Sequence, residues 1–252
     1  MTRKIFLDVG AFNGETIRIA LNPIYRFDCI HGFEPSPNRY SRLRKIKSSR
    51  VYLHNFGLSN KTYKTTLFGV NTIGASVYSE KRFKGLNDKR MKCEISLNRA
   101  SLWISQNTQL DDQIYLKLNC EGSEVDILQD LIDTKMIYRV KSIFVDFDIQ
   151  KVKNQEYRQD LLEKQLQKLN IEYFTPVNFK DFGQFGVERW LTLTIIHSGK
   201  PSFLRKISYS LDFVMPLSFI LSKYAWRYIP RKPLTYMLKL TKLSLHLKNK
   251  TN

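Results

Sequence analysis

The sequence predicts an α/β fold in which a mostly parallel sheet carries helices on both faces. Over residues 1–200, short apolar runs rich in Ile, Val and Phe alternate with segments of helical periodicity. Such alternation is typical of βαβ units, because the intervening helix returns the chain to the same end of the sheet. Residues 201–252 break the pattern with four prolines and with interleaved aromatic and basic side chains. We therefore expect one domain over residues 1–200 and a basic aromatic C-terminal appendage over residues 201–252.

Five apolar runs, each closed by glycine, proline or polar residues, are predicted to form the strands of the sheet. In chain order they are residues 5–9, 28–33, 51–54, 114–118 and 142–149. The intervening helices are predicted over residues 15–21, 37–48, 125–136 and 155–169. In the last of these, Leu162, Leu166 and Leu169 share one apolar face. Residues 62–98 are predicted as extended segments and loops, and residues 171–179 and 190–197 as a terminal antiparallel ribbon.

The end of the first strand has the composition of a ligand-binding turn. Ligands of open parallel sheets bind outside the carboxyl ends of the strands. Asp8 lies near the end of this strand, and Gly10 and Gly14 lie in the segment that follows it. Glycine allows a tight turn and a close approach of the ligand to the backbone. The carboxylate of Asp8 disfavours a dinucleotide pyrophosphate but suits a cationic ligand with an amino-acid head. The alternative is a tight turn that serves packing alone.

Two further strand ends carry carboxylates. Glu34 closes the second strand, where an acidic side chain can accept both hydroxyl groups of a ribose. The alternative is that Glu34 only caps the helix that follows. Residues 115–128 form an apolar strand that breaks into polar residues, which we expect to line a pocket. There, Glu121 and Glu124 could also be ordinary acids of a first helical turn.

Four segments in this order resemble the signature of the FkbM-type methyltransferases: "FLDVGAFNGET", "GFEPSPNRY", "NFGLSN" and "YLKLNCEGSEVDIL". The resemblance covers roughly residues 3–150. It implies a Rossmann-like fold that binds S-adenosylmethionine and methylates oxygen, often on sugars or natural-product scaffolds. It also implies the site residues. Asp8, Gly10 and Gly14 would border the methionine end of the cofactor, Glu34 would hold the ribose, Asn55, Leu58 and Ser59 would lie toward the adenine, and Asn119, Glu121 and Gly122 would lie near the transferred methyl group.

One residue departs from the family pattern, because Asn119 stands where the family usually has Asp. An amide cannot accept a proton, so a general base must come from elsewhere if the reaction uses one. The candidates are Glu121, His54 at the end of the third strand, and Asp146 or Asp148 within the fifth. The alternatives are that His54 is an ordinary strand-end residue and that the two Asp side chains are only solvated.

Composition narrows the class of protein. Cys29, Cys93 and Cys120 form no C-x-x-C pair, and no His, Cys, Asp and Glu cluster has metal-ligand spacing, so we expect neither a disulfide framework nor a required metal. Only a few apolar residues follow Met1 to Lys4, and no apolar run approaches the length of a membrane-spanning helix. We therefore expect a cytoplasmic protein with reduced thiols.

The formal net charge of +18 is unevenly distributed. Residues 201–252 hold ten Lys and Arg side chains and one acid, so half of the excess lies in this tail. Its composition suits a peripheral membrane surface or a packed structural appendage, and less strongly single-stranded nucleic acid. Basic clusters at residues 39–50 and 81–92 are ordinary solvated faces or, alternatively, contacts for an anionic acceptor.

The sequence thus predicts an S-adenosylmethionine-dependent O-methyltransferase that acts on a small molecule or on a sugar or glycan hydroxyl. An RNA methyltransferase is the alternative that the basic charge favours, although we expect nucleic acid to be an unlikely partner. A non-catalytic binding module that has kept the fold is the alternative that Asn119 favours.

Overall fold

A five-stranded parallel sheet forms the centre of the computed structural model, which describes residues 2–70, 72, 74–81, 91–179, 184–196 and 198. Its strand order is β3-β2-β1-β7-β8, so the chain leaves β1 on one side and returns on the other. The carboxyl ends of β1 and β7 therefore border the crevice where ligands of such sheets bind. In chain order the strands are β1 (Lys4–Val9), β2 (Cys29–Phe33), β3 (Val51–His54), β4 (Gly57–Ser59), β5 (Tyr63–Phe68), β6 (Lys92–Arg99), β7 (Gln113–Leu118) and β8 (Val140–Val145).

Helices cover both faces of the central sheet. They are α1 (Glu15–Ala20), α2 (Pro37–Leu43), α3 (Ala100–Asn107), α4 (Glu124–Asp133), α5 (Tyr157–Lys168) and α6 (Gln184–Leu191). Helix α4 contacts both α3 and α5 on one face, whereas α1 contacts α6 on the other. This arrangement confirms the predicted α/β class and its two helical layers.

The two faces have different cores because successive strand residues point to opposite sides. On the α4 side, aliphatic residues of β1 and β7, such as Leu7 and Leu116, pack against Leu128 of α4 and Leu162 of α5. The α6 side is aromatic. There the ring of Trp190 lies 6.3 Å from Phe6, 6.2 Å from Tyr115 and 5.6 Å from Phe144, and its Nε1 donates a hydrogen bond of 2.8 Å to Ser142 Oγ.

A second sheet has three strands, of which β5 and β6 fall in the region predicted to hold extended segments and loops and β4 precedes that region. Its order is β4-β6-β5, with β4 parallel and β5 antiparallel to β6. Leu67, Val70, Ile95 and Leu97 form a small apolar core on this sheet. The inner side of this core becomes one wall of the cavity described below.

All five predicted strands of the central sheet are present, but the predicted terminal ribbon is wrong. Residues 184–191 form α6 and Thr192–Ile196 continue as a π-helix. Val187, Trp190 and Leu191 are all buried, at the three- and four-residue spacing of one helical face. Of residues 171–179, Phe174 makes one parallel bridge to Phe144 of β8, and a short 3-10 helix follows at Pro176–Phe179.

Other boundaries also differ from the prediction. Helix α2 ends at Leu43 rather than residue 48, and β8 ends at Val145, so that Asp146 and Asp148 follow the strand.

Residues 1–198 form one compact unit, and the predicted tail of residues 201–252 lies outside the described residues. Within the part of the chain that the structure describes, no helix is long and apolar enough to cross a bilayer.

Candidate active site

A cavity of about 410 Å³ opens at the carboxyl ends of the central strands, between them and the second sheet. Its volume lies within the range of small-molecule sites, about 300–1,000 Å³. Six of the predicted site residues line it: Gly10, Glu34, Leu58, Asn119, Glu121 and Asp146.

Gly10 forms the floor of this cavity. Its φ of +80° is a left-handed conformation that favours glycine. The backbone N–H groups of Gly10 and Ala11 both donate to Phe33 O, at 3.1 and 3.0 Å. A Cβ atom on Gly10 would lie 1.9 Å from the carbonyl oxygen of Asn119. The ends of β1 and β7 therefore meet at a distance that only glycine permits. Gly14 also has a positive φ, but it packs against Ile46 outside the cavity lining.

Asp8 lies behind the floor rather than in the cavity. It is fully buried, and its carboxylate accepts a hydrogen bond from Thr16 and pairs with Lys117 Nζ at 2.9 Å. Asp8 and Lys117 are directly opposite each other in the β1–β7 pairing. Lys117 itself lines the cavity and was not among the predicted site residues. The feature of the sequence that could have indicated Lys117 as a site residue is its position as a single Lys inside the apolar run of residues 114–118.

Glu34 projects its buried carboxylate into the cavity wall at the end of β2. Oε2 accepts the N–H of Phe12 at 3.0 Å, and Oε1 accepts the N–H of Ser36 at 2.9 Å. Burial raises the pKa of this carboxyl group, although both hydrogen bonds and the charge of Arg39 act against the rise. Asn55 braces the same turn from outside, since its Nδ2 donates to Glu34 O at 3.0 Å and Pro35 O at 3.2 Å.

The part of the cavity predicted for the adenine is apolar. Leu58 lines it together with Leu67, Ile95 and Leu97 of the second sheet. Asn55 is exposed and Ser59 is buried beside Asn60, so neither of these two predicted residues reaches the lining.

Glu121 belongs to a buried ionic network at the β7–α4 turn. Lys81, only 2% exposed, contacts Glu121 and lies 3.1 Å from Asp148 Oδ2, and Lys151 also pairs with Asp148. Burial raises the pKa of Glu121, and the hydrogen bond with Asp148 raises it further. Burial opposes ionisation of Asp148 too, but the hydrogen bond with Glu121 and the charges of both lysines lower its pKa. Of these two carboxyl groups, Glu121 therefore has the higher pKa.

Asp146 is the second carboxylate of the cavity lining. Its backbone N–H donates to Leu118 O at 2.9 Å, which places it beside Asn119, and the Asn119 amide lies 3.5 Å from its Oδ2. Burial raises the pKa of Asp146, and the nearby charge of Asp148 adds to the rise. Asp148 is 4% exposed and does not reach the cavity lining.

The structure does not bring His54 to the cavity. Its Nε2 lies 3.1 Å from Nδ1 of His31, and both rings pack edge-on against Trp103. Burial lowers the pKa of each imidazole to about 4. His54 therefore belongs to an aromatic cluster on the α3 side of the sheet, which corrects its prediction as a catalytic base.

Ala75, Ser76 and Val77 form a wall of the cavity that the sequence patterns did not indicate. Ser76 Oγ donates to Glu121 O at 2.7 Å, and Tyr78 OH donates to Asp126 Oδ2 at 2.7 Å. Gly122, with a φ of +119°, packs against Tyr78 and is not part of the lining. The polar groups that hold this wall are distant in sequence from their partners, so no local pattern marks them.

Glu124 has a structural role, in keeping with the alternative left open by the sequence. It is fully buried, and its Oε1 accepts the N–H of Cys120 at 2.8 Å while its Oε2 accepts that of Gly122 at 3.0 Å. It thus closes the β7–α4 turn and does not line the cavity.

Over the residues that the structure describes, the cavity lining is more acidic than the chain as a whole. Both of its cations are engaged by the protein, since Lys117 pairs with Asp8, and Arg39 stacks 3.9 Å from the Phe12 ring and donates to Thr72 O. Among the described residues, no group of three or more His, Cys, Asp or Glu side chains is arranged to hold a metal ion. The charged lining residues are Glu15, Glu34, Glu121 and Asp146 against Arg39 and Lys117.

Comparisons with known proteins give a structural similarity but no match in sequence. No protein-family model matches the chain, and no curated protein matches it. A crystal structure of the methyltransferase FkbM from Methylobacillus flagellatus KT is similar, with a TM-score of 0.41 and 17% sequence identity over 68% of this chain. This chain covers 38% of that protein's chain.

Proposed function

We propose that this chain is an S-adenosylmethionine-dependent methyltransferase that methylates a hydroxyl group of a sugar or glycan. The observation that carries the proposal is the position of Glu34, whose buried carboxylate lines the cavity one strand away from the Gly10 floor. A carboxylate offers about four acceptor sites. The N–H groups of Phe12 and Ser36 occupy two of them. The remaining lone pairs can accept the two hydroxyl groups of a ribose.

The other lining residues fit the same cofactor. Its sulfonium and ammonium groups are cationic, and the described lining carries more carboxylates than cations. Leu58 and its apolar neighbours in the second sheet provide a surface for the adenine ring. Gly10 offers a backbone without a side chain on the floor, next to Asn119, where the methionine end would lie. An RNA backbone would meet mainly carboxylates in this cavity, because both lining cations already have partners in the protein.

The bound cofactor would supply an activated methyl group, and the chain would position the acceptor and take up its proton. Positioning alone contributes up to about 7–11 kcal/mol in favourable intramolecular reactions. Asp146 is the best-placed proton acceptor, because it lines the cavity and its raised pKa lies closer to neutrality. Glu121 is held by its contacts with Lys81 and Asp148, so it would shape the acceptor end of the cavity. Asn119 can orient the Asp146 carboxylate, but its amide cannot accept the proton in place of Asp146.

Calorimetric titration with S-adenosylmethionine tests the cofactor. We expect the wild type to bind and Glu34→Gln to bind at least about tenfold more weakly, as for the loss of hydrogen bonds to a charged acceptor. Glu94→Gln is the matched control, since Glu94 is exposed on β6, where it pairs with Lys64 at 3.4 Å. If the folded wild type does not bind, or if both variants bind alike, the cofactor assignment is wrong.

Transfer of a labelled methyl group identifies the acceptor class. Glycan and RNA fractions from cells that lack the protein would be incubated with enzyme and labelled cofactor. We expect label in the glycan fraction, and we expect Asp146→Asn to bind the cofactor like the wild type but to transfer more slowly. Label in RNA would favour the alternative acceptor, whereas absence of turnover with any acceptor would favour a binding module.

The location of the protein is a separate proposal. We propose a cytoplasmic enzyme held at an anionic membrane surface by residues 201–252, on the basis of their aromatic and basic composition alone. Flotation with liposomes containing anionic lipid would compare the full chain with residues 1–200. Equal flotation of the two proteins would exclude this role of the tail.

A further inference from the structure

Lys117 is a buried cation for which the proposed reaction provides no role. It lies in β7, only 4% exposed, with its ammonium group directed toward the end of β1. Burial of an unpaired ammonium group is strongly unfavourable, so its position requires partners. These partners all belong to β1 and to the turn that follows it.

The ammonium group makes two hydrogen bonds and one ion pair with this element. Lys117 Nζ lies 2.9 Å from Asp8 Oδ1, 2.9 Å from Gly10 O and 3.4 Å from Val9 O. An ammonium group has three N–H donors and no acceptor. Two of them bind the backbone of β1 and its turn, and Asp8 neutralises the charge, although Lys117 lines the cavity.

These contacts complete the fixation of the Gly10 peptide. Its N–H is bound by Phe33 O of β2, and its Cα lies against the carbonyl of Asn119. Lys117 holds the remaining polar group, the Gly10 carbonyl, from the β7 side. Gly10 is thus held by the strands on both sides of β1, in the left-handed conformation that shapes the cavity floor.

We infer that Lys117 is a positioning residue that holds the Gly10 floor for the cofactor, with Asp8 as its counterion. The inference rests on the proposed function of the cavity. It gives Asp8 a different role from the one that the family resemblance implies, because the carboxylate neutralises the lysine behind the floor and does not border the ligand.

Two variants separate positioning from simple charge balance. Asp8→Asn removes the counterion and leaves the lysine contacts to Gly10 and Val9. Asp8→Asn/Lys117→Met removes both charges, so that no unpaired buried charge remains to unfold the protein. Because Asp8→Asn leaves the buried ammonium group unpaired, the double variant is compared directly with the wild type if this single variant does not fold. Urea unfolding would establish that each variant is folded, and calorimetry would give its affinity for S-adenosylmethionine.

We expect Asp8→Asn to bind within about threefold of the wild type and the double variant to bind at least about tenfold more weakly than Asp8→Asn. If the methionine variant does not fold, Asp8→Asn/Lys117→Gln takes its place. Its shorter side chain cannot span both carbonyls, so the same loss is expected.

Equal affinities of the single and double variants would overturn the inference, because Lys117 would then only balance charge. A loss of binding in Asp8→Asn as large as in the double variant would also overturn it, because Asp8 would then contact the ligand. A folded wild type that does not bind the cofactor would refute the proposed function itself, and this inference with it.

Discussion

The pair formed by His31 and His54 predicts how the stability of this protein depends on pH. The two rings stack with centroids 5.4 Å apart, share a hydrogen bond of 3.1 Å and pack against Trp103. Burial lowers both pKa values from 6.5 to about 4, and the neighbouring charges of His54 and Arg3 contribute at His31. Both imidazoles are thus neutral in the folded protein at pH 5, whereas they are protonated in the unfolded chain.

The sign and size of the effect follow from this difference. Between pH 6.5 and 4 the unfolded chain binds more protons than the folded protein, so the free energy of unfolding falls as the pH falls. A pKa lowered by about 2.5 corresponds to about 3 kcal/mol for each ring, at about 1.36 kcal/mol per pH unit. Both side chains are partly exposed, so solvent screening reduces this figure. We expect a loss of about 2–4 kcal/mol for the pair.

Urea unfolding followed by tryptophan fluorescence at several pH values between 7 and 4 would measure this loss. The matched variant is His31→Phe/His54→Phe, which keeps the aromatic packing and removes both titrating groups together, a replacement that is close to neutral at pH 7. Carboxyl groups titrate in both proteins, so the difference between their curves isolates the histidines. Identical pH dependence of the two proteins would refute the reasoning.

Two further predictions concern the floor and the aromatic core. Gly10→Ala should destabilise the protein by more than about 3 kcal/mol, because the added Cβ would overlap the Asn119 carbonyl at a positive φ. Gly74→Ala, whose Cβ would meet Glu121 Oε2 at an ordinary contact distance of 3.9 Å, should change stability by less than about 1 kcal/mol, and similar urea midpoints for the two variants would contradict the close contact at Gly10. Trp190→Ala should cost about 3–5 kcal/mol, whereas Phe185→Ala, on the exposed side of the same helix, should leave stability almost unchanged. Thermal unfolding would compare these two, and a small effect at Trp190 would contradict its place in the core.

The features that local patterns determine were predictable from the sequence. Apolar runs place the five central strands, and the residues after each run, such as Gly10, Glu34 and Asn119, reach one edge of the sheet because parallel strands end together. The C-terminal helix was not predictable in this way. The segment Thr192–Ile196 is rich in strand-forming side chains, but burial of Trp190 in the aromatic core outweighs their local preference.

The contacts that decide the roles of site residues were not predictable. Asp8 and Lys117 are neighbours only because β1 pairs with β7 in one particular register. Lys81 reaches Glu121 across a long stretch of chain, and no spacing rule connects them. His54 stands at a strand end, yet its side chain packs against Trp103 of α3 and does not line the cavity. Which face a residue takes depends on strand register, and the sequence pattern near a strand end does not fix that register.

The contact between Lys117 and Gly10 closes a long loop of the chain, and this has a consequence for folding kinetics. Lys117 and Gly10 are 107 positions apart. Closing a flexible loop of that length costs about 4 kcal/mol of chain entropy before a constant term. Such non-local parallel pairings form late. The floor therefore does not exist in a chain that has assembled only β1 to β3. A ligand of this cavity recognises the completed sheet, so its binding free energy stabilises residues 1–198 as one unit, and protection from unfolding reports directly on occupancy.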